Sequence, residues 1–480
     1  MSGISQVLET ARRALLAQQY GLSVTGHNIA NVSTPGYSRQ RAEFVTTSPS
    51  QTAAGLLGTG VMVESVSRLR NRFIDQQIRS SNDSLSLASA EYQILSQIEA
   101  TFNEPSDSGM SGVLNSFFQS WHDLSTNPED AVSRNDLMLK GKQVTDTFHR
   151  LNAEMSSLRN SLRDEITTKL DRINTLTTEI SKLNVDITAA SVGGLNPSDM
   201  QDLRDAKLEE LSTLANIQVH EDSRGSVMVV LGGSVIADNG ASLSLRLESA
   251  PPTTVSGSSF DQMRIVSGLG NEVKLSGGEA GGLLKSYNTT IPDSLGRLDR
   301  LAEGIVAEVN RYHATGYGLQ NPPATGINFF MGNSAATIGL DLTDTSGGAA
   351  AGSTPSIDNI AASASATAPG NNEIALLIAE ALNRKPVTDA GGATLLDGLS
   401  LLQYYSQSVT RIGSSVNSAD TMIQSQELVL DQLTTQRESV SGVSLDEEMT
   451  DMIKFQRAFD AAARMVNTAD EMFQTLLNMV

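Results

Sequence analysis

The sequence predicts a mainly α-helical, multidomain protein with a β-rich insertion, and three observations support this fold class. Near both ends of the chain, apolar residues recur at alternating spacings of three and four, which is the period of an amphipathic helix. Similar patterns fill much of residues 85–215, whereas strict alternation replaces them after residue 216. A chain of 480 residues also exceeds one ordinary hydrophobic core, so several domains are expected.

The N-terminal segment carries the first helical pattern and is poor in charge. Its heptad positions are Ile4, Leu8, Ala11, Leu15, Gln18, Leu22, Thr25, Ile29 and Val32. No Asp, Glu, Lys or Arg occurs from Ala14 to Ser38. Such a helix is expected to lie in a protein interface, with its amides hydrogen-bonded to neighbours. The sequence Thr34-Pro35-Gly36-Tyr37 predicts a sharp turn after it, because Pro presets the first central turn position and Gly accepts positive φ at the second.

The C-terminal segment repeats this pattern to the last residue. Its apolar positions are Met452, Phe455, Phe459, Ala462, Val466, Ala469, Phe473, Leu476 and Val480. Ser444 and Glu447 have the spacing of a capping box. The acidic group from Asp446 to Glu448 is predicted to interact favourably with the positive N-terminal end of the helix dipole. Because the first and last segments are alike in pattern, we expect them to meet in space.

The middle of the chain is less uniform. Val227, Val229 and Leu231 alternate, and the doublets Gly232-Gly233 and Asn239-Gly240 punctuate the region, which predicts short antiparallel strands. A helix is predicted over about 283–313, and a loop-rich region over 316–372. Gly55, Gly58 and Gly60 are interpreted as a loop.

Composition and motifs argue against several classes of function. The net charge of −20 opposes nucleic-acid binding, and the absence of Cys excludes disulfides and thiolate metal sites. The five His residues do not have metal-ligand spacing, and we find no nucleotide-binding or nucleophile motif, so no catalysis or cofactor is predicted. There is no run of eighteen apolar residues and no pattern of a cleaved signal, so neither membrane insertion nor signal cleavage is expected.

Motifs at both ends carry a family resemblance. They are Asn28-Ile29-Ala30-Asn31, Thr34-Pro35-Gly36-Tyr37 and Arg39, then Glu447-Glu448-Met449-Thr450, Gln456-Arg457-Ala458-Phe459 and Thr468-Ala469-Asp470-Glu471-Met472. In this order they resemble the flagellar rod, hook and hook-associated axial proteins of bacteria. The run from Ser441 to Met449, together with Gly281-Gly282-Leu283-Leu284 and Gly316-Tyr317-Gly318, is most similar to the hook-associated members at the junction of hook and filament.

The resemblance implies a structural subunit that forms a short ring between hook and filament. Its partners would be further copies of itself, the hook subunit, and a second junction protein on the filament side. It implies secretion by the flagellar type III apparatus without signal cleavage, to an extracellular position in the flagellum. A cytoplasmic chaperone would cap the C-terminal helix, with Phe459, Val466, Phe473 and Leu476 as the contact residues.

The resemblance and the patterns together predict four parts. They are a terminal helical core domain (1–45 and 441–480, disordered in the monomer), a helical body (46–215, 283–320 and 400–440), a β-rich outer domain (216–282) and a loop-rich, mixed outer region (321–399). The predicted assembly interface consists of Leu8, Leu15, Leu22, Asn28, Ile29, Asn31, Pro35, Gly36, Tyr37, Met452, Phe455, Phe459, Val466, Phe473 and Leu476.

Three other interpretations remain open. A hook or distal rod subunit of the same family is expected to have a mostly β body. An axial protein with a wall-cleaving domain requires a carboxylate or metal constellation, and the sequence offers none. A secreted coiled-coil adhesin accounts for the heptads but not for the turn motif.

Overall fold

The computed structural model describes residues 2–52, 55–321, 323, 325–343, 355–389 and 391–478, with only the backbone at positions 2, 3, 52, 476 and 477. Val480, the last position of the predicted seam, and parts of the predicted region 321–399 lie outside the described residues. The helices are α1 (Ser2–Ala30), α2 (Arg72–Phe102), α3 (Met110–Thr126), α4 (Ala131–Val192), α5 (Ser198–Leu214), α6 (Gly278–Lys285), α7 (Ile291–His313), α8 (Glu373–Ala379), α9 (Leu401–Ser441) and α10 (Leu445–Asn478). A π-helical turn, Ser286–Thr290, joins α6 to α7.

The strands are short and form small sheets. They are β1 (Gln40–Thr46), β2 (Ser50–Thr52), β3 (Gly55–Leu57), β4 (Val61–Arg68), β5 (Ile217–Glu221), β6 (Val227–Leu231), β7 (Ser234–Ala237), β8 (Leu245–Val255), β9 (Ser258–Ser267), β10 (Phe330–Met331) and β11 (Gly339–Leu340). The pairs are β1–β4, β2–β3, β8–β9 and β10–β11, and β5, β6 and β7 form one antiparallel sheet. The predicted fold class, mainly α with a β-rich part, is confirmed. Among the described helices, none is both long and apolar enough to cross a bilayer.

The strands between residues 40 and 68 are absent from the sequence prediction. β1 and β4 pair antiparallel, but their register shifts between Glu43 and Phe44. This irregularity breaks the alternation of apolar and polar residues by which strands are recognised. Gly58 and Gly60 lie in the connection to β4, as interpreted, whereas the interpretation of Gly55 as a loop residue is wrong because it begins β3.

The first of two compact units comprises Met1–Leu85, Asp171–Leu245 and Ser425–Val480. Within it, Val227, Val229 and Leu231 of β6 are buried, so the predicted alternation is confirmed there. The Asn184 side chain of α4 holds this strand, since it donates to the Val227 carbonyl at 2.7 Å and accepts from its N–H at 3.1 Å. A buried amide with both groups satisfied fixes the position of the sheet on the helix.

The second unit comprises Ser86–Leu170 and Arg246–Gln424. Although only 4% of all residues are aromatic, several of them meet here. The rings of Phe117, Trp121, Phe329 and Phe330 are fully buried or nearly so, and their centroids lie 4.8–6.4 Å apart. This cluster gives the second unit a buried aromatic core despite the low aromatic content of the chain. The predicted four-part domain division stays a prediction.

Candidate functional site

Helices α1 and α10 pack against each other in the first unit. Asn28, near the end of α1, donates to Glu448 near the start of α10 at 3.1 Å. Two turns earlier in α1, Gly21 lies against the ring of Phe455, which is two turns later in α10. Moving back along α1 from Asn28 to Gly21 thus corresponds to moving forward along α10 from Glu448 to Phe455, so the two helices are antiparallel. The expectation that the two ends of the chain meet is confirmed.

Small residues dominate the buried face of this helix pair. The buried positions are Ala11, Ala17, Gly21, Thr25 and Asn28 in α1, and Glu448, Ala462 and Ala469 in α10. The larger predicted residues Leu8, Leu15, Leu22 and Ile29 are only partly buried. Small side chains leave room for larger groups of the partner helix, as Gly21 does for the ring of Phe455.

The turn after α1 has the predicted conformation. The Tyr37 N–H donates to the Thr34 carbonyl at 3.2 Å, and Gly36 adopts a φ of 79°. Pro35 and Gly36 are exposed, while the Asn31 side chain is held by the His27 carbonyl at 3.0 Å. The turn folds back on the helix, since the Tyr37 hydroxyl donates to the Asn28 side chain at 2.8 Å.

The Asn28 amide is the centre of a buried hydrogen-bond network. Its Oδ1 accepts from the Tyr37 hydroxyl and from the Gln40 N–H at 3.0 Å, and its Nδ2 donates to the Gln40 carbonyl at 2.9 Å and to Glu448. Asn28 is 1% exposed, and both its donors and both its acceptor positions are used. Burial, followed by the nearby carboxylates Asp199, Asp202 and Glu448, raises the pKa of Tyr37, so its hydroxyl stays a donor.

Arg39 directly precedes β1 and connects this part of the chain to α10 through charged hydrogen bonds. Its Nε donates to Glu448 and its Nη1 to Glu447, both at 2.6 Å, and its backbone N–H donates to the Ser441 carbonyl at 2.9 Å. Burial opposes the charged guanidinium, but these carboxylates outweigh it and raise the pKa of Arg39. Helix α10 begins directly after Ser444, as predicted. The Glu447 carboxylate, expected to complete a capping box, instead holds Arg39.

A cleft of about 570 Å³ brings the two terminal motifs together. The turn from Thr34 to Tyr37 lines one part of it, and the connection from Ser441 to Ser444 lines another. Residues that are more than 400 positions apart in the chain therefore form one surface. The predicted interface residues Asn31, Pro35, Gly36 and Tyr37 all contribute to this cleft.

Helix α10 exposes large apolar groups on more than one side. Of the predicted residues, Phe459 is 40% and Phe473 39% exposed, whereas Met452, Phe455 and Val466 are half-buried. The side chain of Leu476 lies outside the described residues. We call the exposed large apolar residues of this helix the α10 stripe: Leu445, Met449, Ile453, Phe459, Met465, Met472 and Phe473.

Five members of the α10 stripe were missed in the sequence. Leu445, Met449 and Ile453 repeat every fourth residue, and Met465 and Met472 lie seven apart. These positions fall outside the heptad seam, so α10 is apolar over more than one face. A helix that is apolar over most of its circumference requires partners on more than one side. The spacing of these apolar residues in the sequence is sufficient to predict this.

Comparison with known protein families gives three matches along the chain. Residues 95–330 match the family described as the flagellar hook-associated protein FlgK helical domain. Residues 8–37 match the flagella basal body rod protein family, and residues 435–479 match the C-terminal family of the flagellar basal body rod FlgEFG proteins. The two terminal matches contain α1 with its turn and α10 with its preceding connection.

Similar proteins cover nearly the whole chain. Flagellar hook-associated protein 1 of Bacillus subtilis is 30% identical over 515 residues, which cover 98% of this chain and 97% of the relative. The protein of the same name from Escherichia coli is 24% identical, and the match covers 99% of this chain and 100% of the relative. The solved flagellar hook junction protein FlgK of Burkholderia pseudomallei has a TM-score of 0.61 at 15% identity, covering 76% of this chain and 100% of its own, which shows a common fold.

Proposed function

Because the chain belongs to the family of flagellar hook-associated protein 1, we propose that it is a structural subunit of the junction ring between hook and filament. The observation that carries this proposal is the antiparallel α1–α10 pair, which joins the two terminal motifs while leaving the α10 stripe exposed. The role is structural and requires no catalytic step or cofactor. Its site is the predicted interface, extended by the missed members of the α10 stripe.

Burial of the α10 stripe supplies a driving force for assembly. Full burial of a large apolar side chain contributes about 1.5–3 kcal/mol, and these residues retain roughly half of their exposure. Each can therefore contribute about 1 kcal/mol when a neighbouring copy covers it. Seven such groups on one helix contribute about 7 kcal/mol in total, which offsets much of the roughly 4–15 kcal/mol that a subunit loses in freedom of motion on association.

The proposed domain arrangement follows the prediction from the sequence. Residues 1–45 and 441–480 form the terminal core domain and order on assembly. The helical body surrounds it, and the β-rich and loop-rich parts face outward. Ordering on assembly is physically reasonable because the fully buried apolar residues of α1 and α10 are alanines, which bury little apolar area within one copy.

Export and protection form the second part of the proposal. The protein leaves the cell through the flagellar type III apparatus and becomes extracellular. Before export, a chaperone covers α10 at Phe459, Val466, Phe473 and Leu476. An exposed apolar stripe is an aggregation hazard at cytoplasmic concentrations, which supports a covering partner.

The alternative within the family is a hook or distal rod subunit. That role is expected with a mostly β body, whereas α4 alone has 62 helical residues and α9 has 41. The match of residues 95–330 to the hook-associated helical domain favours the junction role further. Contacts with the hook subunit on one side and with a second junction protein on the other belong to the same proposal.

The double variant Phe459→Asp/Phe473→Asp tests the assembly surface. In a strain that lacks the gene, we expect it to leave hooks without filaments and filament protein in the medium, as an empty vector does. The matched control is Val132→Asp, because Val132 is 76% exposed and lies on α4. Normal filaments with the double variant would overturn the proposed role of the α10 stripe.

Limited proteolysis tests the order of folding. We expect a protease to remove both ends of the purified monomer early and to leave the helical body intact. The same ends should be protected in isolated flagella. Equal protection in both samples would contradict ordering on assembly.

A further inference from the structure

A cleft of about 530 Å³ in the first unit is lined by arginines. It lies where β4 and the start of α2 meet α5 and the β5 strand. The arginines are Arg68, Arg70, Arg72, Arg79 and Arg204. Five guanidinium groups around one cleft are unexpected in a chain whose net charge is −20.

Four of these arginines are neutralised by carboxylates. Arg68 donates to Asp202 at 2.7 Å and to Asp205 at 2.8 Å. Arg70 pairs with Asp75 at 2.5 Å and also contacts Asp205. Glu221 forms an ion pair with Arg72 at 3.0 Å and lies 3.7 Å from Arg204, which is itself paired with Asp205 at 3.1 Å. Four carboxylates thus serve four arginines.

Arg79 is the fifth arginine and has no such partner. Among the described residues it makes no hydrogen bond and no ion pair, although Arg79 is half-buried and lines the cleft. Burial, followed by repulsion from Arg70, lowers its pKa despite attraction from Asp75, Glu209 and Glu221. The Glu209 carboxylate is engaged by Arg437. A guanidinium in this position is destabilising unless an anion joins it.

We infer that this cleft binds a small tetrahedral oxyanion of the phosphate class through Arg79 and the free donors of Arg72. A guanidinium presents paired N–H groups that match two oxygens of such an anion. Arg72 lines the same cleft, is 76% exposed and uses one nitrogen for Glu221, so its other N–H groups are open to the solvent in the cleft. The net charge of −20 disfavours a long polyanion, which would have to extend beyond the cleft. This inference is independent of the proposed assembly role.

The test is a titration of inorganic phosphate into the full chain, in chloride buffer of constant ionic strength, followed by phosphorus nuclear magnetic resonance. The wild type should bind one phosphate saturably. Arg79→Gln should weaken binding about tenfold or more, because a charged hydrogen-bond donor is lost. The control Arg163→Gln should bind like the wild type, since Arg163 is an exposed arginine of the second unit.

Stability without phosphate gives a second readout. Removal of an unpaired guanidinium should leave Arg79→Gln at least as resistant to urea as the wild type, and phosphate should raise the urea midpoint of the wild type only. Binding that does not saturate, or that is equal in Arg79→Gln, would overturn the inference. So would a lower urea midpoint of Arg79→Gln in chloride alone, which would identify Arg79 as a structural group.

Discussion

The ring of Phe455 lies against the backbone of Gly21, where a Cβ on residue 21 would be 2.8 Å from the ring atom Cε1. Real Cβ atoms do not approach so closely, so the ring or the helix must move to admit a methyl group. Gly26, in the same helix, has open space instead, with nothing within 4 Å of its Cβ position. Substitutions at these two positions therefore distinguish the effect of helix propensity from the effect of packing between the helices.

Gly21→Ala and Gly26→Ala form a matched pair of variants. Both gain about 0.8–1.0 kcal/mol of helix propensity, because Ala loses less backbone entropy than Gly. Only Gly21→Ala is overpacked, at a cost of about 1–3 kcal/mol. Hydrogen exchange of the α1 amides in assembled flagella should therefore show stronger protection in Gly26→Ala than in Gly21→Ala. Equal protection in the two variants would mean that the Phe455 ring moves aside without a loss of stability.

Arg39→Ala is expected to be far more disruptive than Arg41→Ala. Arg39 is the cation at Glu448, whose side chain is 2% exposed, so its removal leaves a buried charge that costs about 3–5 kcal/mol. Arg41 pairs with Glu43 at the surface, where 63% and 36% of the side chains are exposed, and its loss should cost about 0–1 kcal/mol. The temperature at which the chain is released from isolated flagella measures this difference. Similar release temperatures would argue against a buried ion pair.

Asn28→Ala and Asn31→Ala compare two residues of the same motif. Asn28→Ala leaves Glu448, Tyr37 and the Gln40 backbone without their buried partner, at about 1–3 kcal/mol for an unsatisfied group. The bonds of Asn31 are local, to His27 and Thr34, and lie nearer the surface. Swimming of a complemented strain should be lost with Asn28→Ala and largely kept with Asn31→Ala. The reverse order would show that the motif acts through its exposed turn.

The sequence predicted the terminal helices, their meeting and the turn between α1 and β1. These features depend on local rules: the helical period shows in apolar spacing, and Pro35 and Gly36 fit only certain turn positions. The strands from residue 40 to 68 could not be predicted in this way, because a shift of register between Glu43 and Phe44 hides their alternation.

The contacts of the site were less predictable than its location. From the sequence, the acidic group from Asp446 to Glu448 is interpreted only through the helix dipole and, for Glu447, a capping box, because the Arg39 partner of Glu448 lies 409 positions earlier in the chain. Pairings at such separations depend on tertiary structure. The arginine cleft did leave a trace, because Arg68, Arg70 and Arg72 occupy every second position of one segment.

His313 gives the second unit a dependence on pH. It is fully buried, its Nδ1 donates to the Ile327 carbonyl at 2.7 Å, and its Nε2 accepts from the Ala361 N–H at 2.9 Å. Burial, with a smaller effect from Arg134, lowers its pKa from 6.5 to about 4, so the folded protein holds the neutral ring. The unfolded chain binds a proton first as pH falls. Stability present above pH 6.5 should thus decrease towards pH 4, by up to about 3 kcal/mol.

Urea titrations at several pH values measure this loss through Trp121, the single tryptophan, whose ring centroid lies 6.0 Å from that of His313. His313→Gln should lower stability at neutral pH but remove the decrease between pH 6.5 and 4. His122→Gln, at an exposed position, should keep the wild-type profile. Burial raises the pKa of Glu308, so its contribution decreases as pH rises and is common to all three proteins. A pH profile unchanged by His313→Gln would place the titrating group elsewhere.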